Sequence, residues 1–123
     1  MLDATQKRAG IQDLDIQINE ALTDATPRAR QLLENFQNKE LKFLKEKDKL
    51  TEYDLERAQK RYELLLKQIA LEEAQNNKTK MRLRRDSQGN YTYQYVADED
   101  DIADKEREYN KAKEDVYNSD KEY

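Results

Sequence analysis

Five basic side chains fall within eight positions, at Lys78, Lys80, Arg82, Arg84 and Arg85, and three tyrosines alternate just after them, at Tyr91, Tyr93 and Tyr95. Cations beside aromatic rings can hold phosphates and stack bases, so Arg82, Arg84 and Arg85 are candidate nucleic-acid contacts. The same residue types also make ordinary cross-strand pairs in a hairpin. From Asp98 to its end the chain has eleven acidic and five basic residues, a neighbour of opposite charge for the basic run. A structural role for the run therefore comes first, and nucleic acid second.

Catalysis near neutral pH needs groups that titrate, attack or bind metal there, and the chain has no histidine and no cysteine. Disulfides are excluded on the same ground. Asp98, Glu99, Asp100 and Asp101 stand together, but without the alternating spacing and glycine of a calcium loop. In the first turn of a helix such residues simply favour the positive end of the helix dipole. Gly89 lacks the further glycines, lysine and helix start of a phosphate loop. No catalytic residue, cofactor or metal site is assigned, and the chain reads as a non-enzyme.

What must position these residues is constrained by composition. Of 123 residues 41% are charged and 36% hydrophobic, too few apolar groups for a broad core but enough for narrow stripes. The expected shape is long and thin. The net charge of −4 comes from 23 basic and 27 acidic side chains, a mixed balance unlike that of a nucleic-acid coat. No apolar run approaches the roughly 20 residues that span a bilayer, and the N-terminus lacks the layout of a signal peptide. The stripes are backed by faces of mixed charge, which points to partner helices rather than a membrane surface.

The spacing predicts a mainly α chain of long amphipathic, coiled-coil helices with one inserted β-hairpin at about residues 80–96. In the N-terminal helix, residues 1–25, Ile11, Leu14, Ile18, Ala21 and Ala25 share one stripe. Thr26 and Pro27 then suit the N-cap and first position of a second helix. Over residues 27–77 Leu33, Leu44, Leu55 and Leu66 recur every eleven residues, with Leu32, Phe36, Phe43, Ala58, Leu65 and Ile69 beside them. This stretch is one unbroken helix or a helical hairpin with a break near 48–51. The break is favoured by the apolar gap at 45–49, a capping box from Thr51 and Asp54, and Leu50 and Leu55 at staple positions. Leu55, Ala58, Tyr62, Leu65 and Ile69, ending at Glu72, form a heptad track. With Leu33, Phe36 and Leu44 they make the predicted helix interface.

Residues 78–97 carry the one stretch with a period of two, and Gly89 can take the left-handed conformation that closes a type I turn with a bulge. Pairing Arg85 with Tyr91 puts Met81, Leu83, Tyr91, Tyr93 and Tyr95 on one face and Lys80, Arg82, Arg84, Thr92 and Gln94 on the other. A lone two-stranded hairpin is only marginally stable in water, so the aromatic face needs a contact, from the flanking helices or another chain. Asp98 caps the C-terminal helix, residues 98–123, where Ile102, Tyr109, Val116 and Tyr123 repeat every seven residues with Glu106, Lys113 and Asp120 interleaved. That half-apolar stripe needs a partner helix, and the chain stops within it as a segment of a longer protein would.

At Leu50-Thr-Glu-Tyr-Asp-Leu-Glu-Arg-Ala, at Ile69-Ala-Leu-Glu-Glu-Ala-Gln, and above all at Met81-Arg-Leu-Arg-Arg-Asp-Ser-Gln-Gly-Asn-Tyr-Thr-Tyr-Gln-Tyr, the chain resembles segments of large tailed-bacteriophage virion proteins of the tail tape-measure type. The resemblance spans roughly residues 32–118. Its specific part is the order helix, Arg-rich strand, Asp-x-x-Gly-Asn turn and aromatic strand. It implies a mostly helical chain, many times longer in the family, packed as a few parallel copies in the tail tube, setting tail length and leaving when DNA is delivered. It implies a virion location after synthesis in the host bacterial cytoplasm, and as partners copies of itself or other virion proteins. It assigns no functional residue. The expected function is a structural, non-catalytic segment acting through helix and hairpin contacts. The alternatives are a coiled-coil scaffold or adaptor module and, after it, a helical protein touching nucleic acid.

Overall fold

The computed structural model describes residues 3–122; Met1 and Tyr123 at the ends of the sequence assignments lie outside it. Five α-helices and one hairpin follow in the order α1 (Ala4–Thr23), α2 (Pro27–Phe36), a π-helical turn (Gln37–Leu41), α3 (Lys42–Glu46), α4 (Glu52–Asn76), β1 (Lys80–Arg85), β2 (Tyr91–Val96) and α5 (Glu99–Glu122). The fold is mainly helical with an inserted antiparallel hairpin, as the spacing predicts. Among the described residues no helix is long and apolar enough to cross a membrane.

Local chemistry sets the helix ends. The Asp3 carboxylate accepts from the Gln6 backbone at 2.8 Å while the Gln6 side chain accepts from the Asp3 N–H at 3.0 Å, a reciprocal cap for α1. The Thr26 hydroxyl accepts from the Ala29 N–H at 3.2 Å and Pro27 opens α2. At α4 the Thr51 hydroxyl accepts from the Asp54 N–H at 3.2 Å, and the Asp54 carboxylate accepts from the Thr51 N–H at 2.9 Å. The chain thus stops being helical after Glu46 and restarts at Glu52. Leu44 and Leu55 lie on opposite sides of this break, so the eleven-residue recurrence is not one stripe. Exposure agrees: Leu66, a member of the recurrence, is 39% exposed and its neighbour Phe43 55%.

The helices turn back on one another instead of running on as a single coiled-coil rod. Leu14 and Ile18 of α1, Leu41 of the π turn, Leu44 of α3, Leu50 of the loop, and Ala58 and Tyr62 of α4 form one core, with Ile11, Leu22, Phe36 and Leu55 packed against it. The π turn has a clear cause. Two α-helical turns beyond Leu33 lies Glu40, which an unbroken helix would point inward; the wider turn brings Leu41 there instead, at 1% exposure. The Glu40 carboxylate instead meets the Arg61 guanidinium at 3.0 Å.

Tyr62 is the centre of the core. It is 2% exposed, meets the Phe36 ring edge-on at 5.7 Å, and donates its hydroxyl hydrogen to the Gln17 carbonyl at 3.1 Å. Burial, and after it the Glu20 carboxylate, push its phenol above the ordinary value. Gly10 explains how α1 comes close to α4, because a Cβ there would stand 3.1 Å from the Leu55 side chain. A glycine inside a helix costs about 1 kcal/mol relative to alanine, and here it makes room for Leu55.

The Asp54 cap gives the fold a pH dependence. Burial pushes this carboxyl up, but the hydrogen bond from Lys47 at 2.7 Å, with those from the Thr51 backbone and hydroxyl, outweighs it and holds the carboxyl below its ordinary range. A depressed folded pKa means the stabilisation is complete above the unfolded value of about 3.9 and is lost as pH falls through the folded value. Asp54→Ala is expected to destabilise the protein by about 1–2 kcal/mol at pH 7, with the gap to wild type narrowing below about pH 4. Denaturant melts of both proteins across that pH range measure it.

Candidate interaction surface

The hairpin is built outward from its turn. Gly89 has φ of +85°, the left-handed conformation, and its N–H donates to the Asp86 carbonyl at 3.1 Å. The Asp86 carboxylate accepts from the Gln88 and Asn90 N–H groups at 2.9 and 2.8 Å, and the Asp86 N–H donates to the Asn90 carbonyl at 2.8 Å. The turn fixes the register: Arg85 opposite Tyr91, Arg84 opposite Thr92, Leu83 opposite Tyr93, Arg82 opposite Gln94, Met81 opposite Tyr95 and Lys80 opposite Val96. Partners in an antiparallel pair share a face. One face therefore carries Met81, Leu83, Arg85, Tyr91, Tyr93 and Tyr95, and the other Lys80, Arg82, Arg84, Thr92, Gln94 and Val96.

This arrangement divides the three candidate nucleic-acid arginines. Arg82 and Arg84 lie on the polar face, where Arg82 meets the Glu99 carboxylate at 3.4 Å and Arg84 donates to the Gln94 side chain at 3.1 Å. Arg85 lies on the aromatic face, its guanidinium 5.9 Å from the centre of the Tyr91 ring. They are not one basic patch. The cause is the two-residue period of a strand, which sends neighbours Arg84 and Arg85 to opposite sides.

The aromatic face stands open. Met81 is 54% exposed, Leu83 53%, Tyr91 65%, Tyr93 74% and Tyr95 60%. Of the two contacts the sequence allows for this face, the flanking helices do not supply one. With about 200 Å² for each of the five side chains and more than half of each exposed, the face offers about 600 Å² of surface. That is the top of the range for the largest apolar patch on a monomer, where patches are often functional. The chain as a whole exposes 9188 Å², against about 6,900 Å² for a compact monomer of its 14.7 kDa. The protruding hairpin contributes to this excess.

Helices α4 and α5 carry the hairpin as an antiparallel pair. Asp120 near the end of α5 meets Arg57 at 3.2 Å, Arg61 at 3.6 Å and the Tyr53 hydroxyl at 3.4 Å near the start of α4, and Glu108 meets Lys67 at 3.3 Å further along. The Asp98 carboxylate caps α5 by accepting from the Asp100 and Asp101 N–H groups at 3.0 and 3.3 Å. The seam on α5 differs from the one the spacing suggests. Ile102, Tyr109 and Val116 are half-buried, with Lys105, Ala112 and Ser119 interleaved between them; of the expected interleaved set Glu106 and Lys113 are exposed, while Asp120 is half-buried and reaches α4. Ala112 and Ser119 are small, which lets the helices approach closely, and Ser119 is 4% exposed. Tyr123, which the heptad spacing adds to this stripe, lies outside the described residues.

The residues assigned to a helix interface serve the protein's own interior. Leu33, Leu44, Ala58 and Tyr62 are buried, and Phe36, Leu55, Leu65 and Ile69 are half-buried. Sequence reasoning passed over the opposite face of α4. Leu64 and Leu71 are half-buried and Ala74 is buried, on the same helical line as Arg57 and Lys67, which pair with α5. Their spacing of seven and three residues was the signal. Among the described residues no cluster of three or more acidic, His or Cys side chains is placed to hold a metal. No protein-family model matches the chain, and no curated protein or solved structure matches it either.

Proposed function

We propose that this protein is a non-catalytic structural module that acts by holding the aromatic face of its hairpin against a protein partner. One observation carries this: the exposed large apolar residues Met81, Leu83, Tyr91, Tyr93 and Tyr95 share one face of a hairpin that no helix among the described residues covers. A surface of that kind binds by excluding water from aromatic side chains, as interface centres do. The bundle of α1 to α4 gives it an anchor, and the α4–α5 pair holds it away from that anchor.

The setting follows from the resemblance at residues 50–58, 69–75 and 81–95 to tail tape-measure-type virion proteins. In that setting the chain is part of a phage tail, made in the bacterial cytoplasm and assembled with copies of itself or with other virion proteins. Its mixed surface charge suits a protein that must later slide free of a tube wall. Mass spectrometry of purified tailed virions from the source lysate is expected to recover peptides of this chain; recovery from the unassembled fraction alone contradicts the setting.

The division of the arginines between two faces favours protein over nucleic acid as the partner. Titration with a fluorescent DNA duplex at about 0.15 M salt is expected to give only the weak binding, Kd of about 10⁻⁴ M, of a non-specific contact. Sub-micromolar, salt-sensitive binding that is abolished by replacing Arg82, Arg84 and Arg85 with Ala contradicts the proposal.

A further inference from the structure

We infer that the partner of the hairpin is a second copy of this chain, its own Met81, Leu83, Tyr91, Tyr93 and Tyr95 laid against the first set with the two hairpins face to face. This inference rests on the reading of the hairpin as a protein contact and names the partner.

The charges select the partner's character. Lys80, Arg82 and Arg84 point away from the aromatic face, and the one cation on it, Arg85, is held over the Tyr91 ring. An acidic partner would seek the opposite face. What docks on the aromatic face must itself be apolar and of similar extent. Elsewhere among the described residues the exposed large apolar side chains, Ile16, Phe43, Leu66 and Tyr117, stand singly on four different helices. The hairpin face is the concentrated apolar surface this chain offers, so its counterpart is the same face of another copy.

Area and symmetry agree with that. Two faces of about 600 Å² each remove about 1,200 Å² from water, the lower edge of the range for specific interfaces. Leu83 and Tyr93 form the middle of the three rungs on this face, between Met81–Tyr95 and Arg85–Tyr91. A two-fold axis through the middle rung sets the Arg85 rung of one copy over the Met81 rung of the other. At about 3.4 Å per residue along a strand and about 10 Å between stacked sheets, the two Arg85 side chains then start more than about 15 Å apart, beyond the screening length of about 8 Å at physiological salt. The dimer thereby covers the apolar face without opposing like charges, and it supplies the support that an isolated two-stranded hairpin lacks.

Light scattering on the full chain from about 1 to 100 µM is the test, because weak and transient contacts lie at the small end of the interface range. The mass should rise from 14.7 kDa toward twice that value. Tyr93→Lys should keep it at the monomer, and Thr92→Lys, on the opposite face, should leave the dimer intact. Should Tyr93→Lys unravel the hairpin, Leu83→Cys still decides, since the chain has no cysteine of its own. A bismaleimide of about 10 Å reach, the spacing of stacked sheets, should cross-link that variant into dimers and leave Thr92→Cys monomeric. A wild type that stays monomeric at the highest concentration, a dimer that survives Tyr93→Lys, or cross-linking at Thr92 in place of Leu83 overturns the inference. A monomer would remove the second copy alone; the hairpin as a protein contact falls instead on strong arginine-dependent DNA binding.

Discussion

A chain with 36% hydrophobic residues can fill narrow seams only, and helix α4 has to serve two of them at once. Its Leu55, Ala58, Tyr62, Leu65 and Ile69 side faces the bundle of α1 to α3, while the line of Arg57, Leu64, Lys67, Leu71 and Ala74 lies toward α5. The two seams differ in kind. The first closes on Tyr62, whose burial alone is worth about 3 kcal/mol on the scale of large apolar side chains, with a ring contact and a backbone hydrogen bond added. The second relies on small side chains and on ion pairs at partly exposed positions, each worth about 0–1 kcal/mol. Arg61 links the two, with one nitrogen on Glu40 of the π turn and another on Asp120 of α5.

That difference puts the exposed hairpin on the less tightly packed part of the molecule. The bundle is the well-packed part, and the α4–α5 pair with its hairpin is the part held by fewer buried apolar contacts, where local opening is easier. A hairpin carried on two antiparallel helices is nonetheless well aimed, because strand register is pinned by the Asp86 and Gly89 turn and the helix start by Asp98. The aromatic side chains are thus ordered by backbone chemistry and not by burial, which leaves them free to be buried by something else.

Much of this was legible in the sequence. Reciprocal pairs such as Thr51 with Asp54, and the Thr26–Pro27 step, signal helix starts because each satisfies backbone N–H groups that nothing else can reach. The hairpin register followed from counting outward from Gly89, since a turn that needs a left-handed residue has one place to sit. Three things were not legible, each for a tertiary reason. The π turn answers to the need to bring Leu41 inward, which a uniform period of 3.6 hides. The α5 seam runs through Ala112 and Ser119, whose small size reads as polar or neutral in a hydrophobic pattern although close helix approach requires it. The eleven-residue leucine spacing was misleading, because the break before Thr51 restarts the helical phase and leaves Leu66 half in water. The three arginines of the candidate site lie within four positions of the sequence but are divided by the pleat.

Hydrogen exchange on the full chain at low concentration tests most directly whether α4 is clamped on two faces while the hairpin stands clear. The slowest amides should fall at residues 58–65 of α4, with those of residues 80–96 exchanging faster by orders of magnitude although they are hydrogen-bonded across the strands. Hairpin amides as slow as those of α4 would mean that the aromatic face is packed against the chain's own helices, and would contradict a surface held open for a partner.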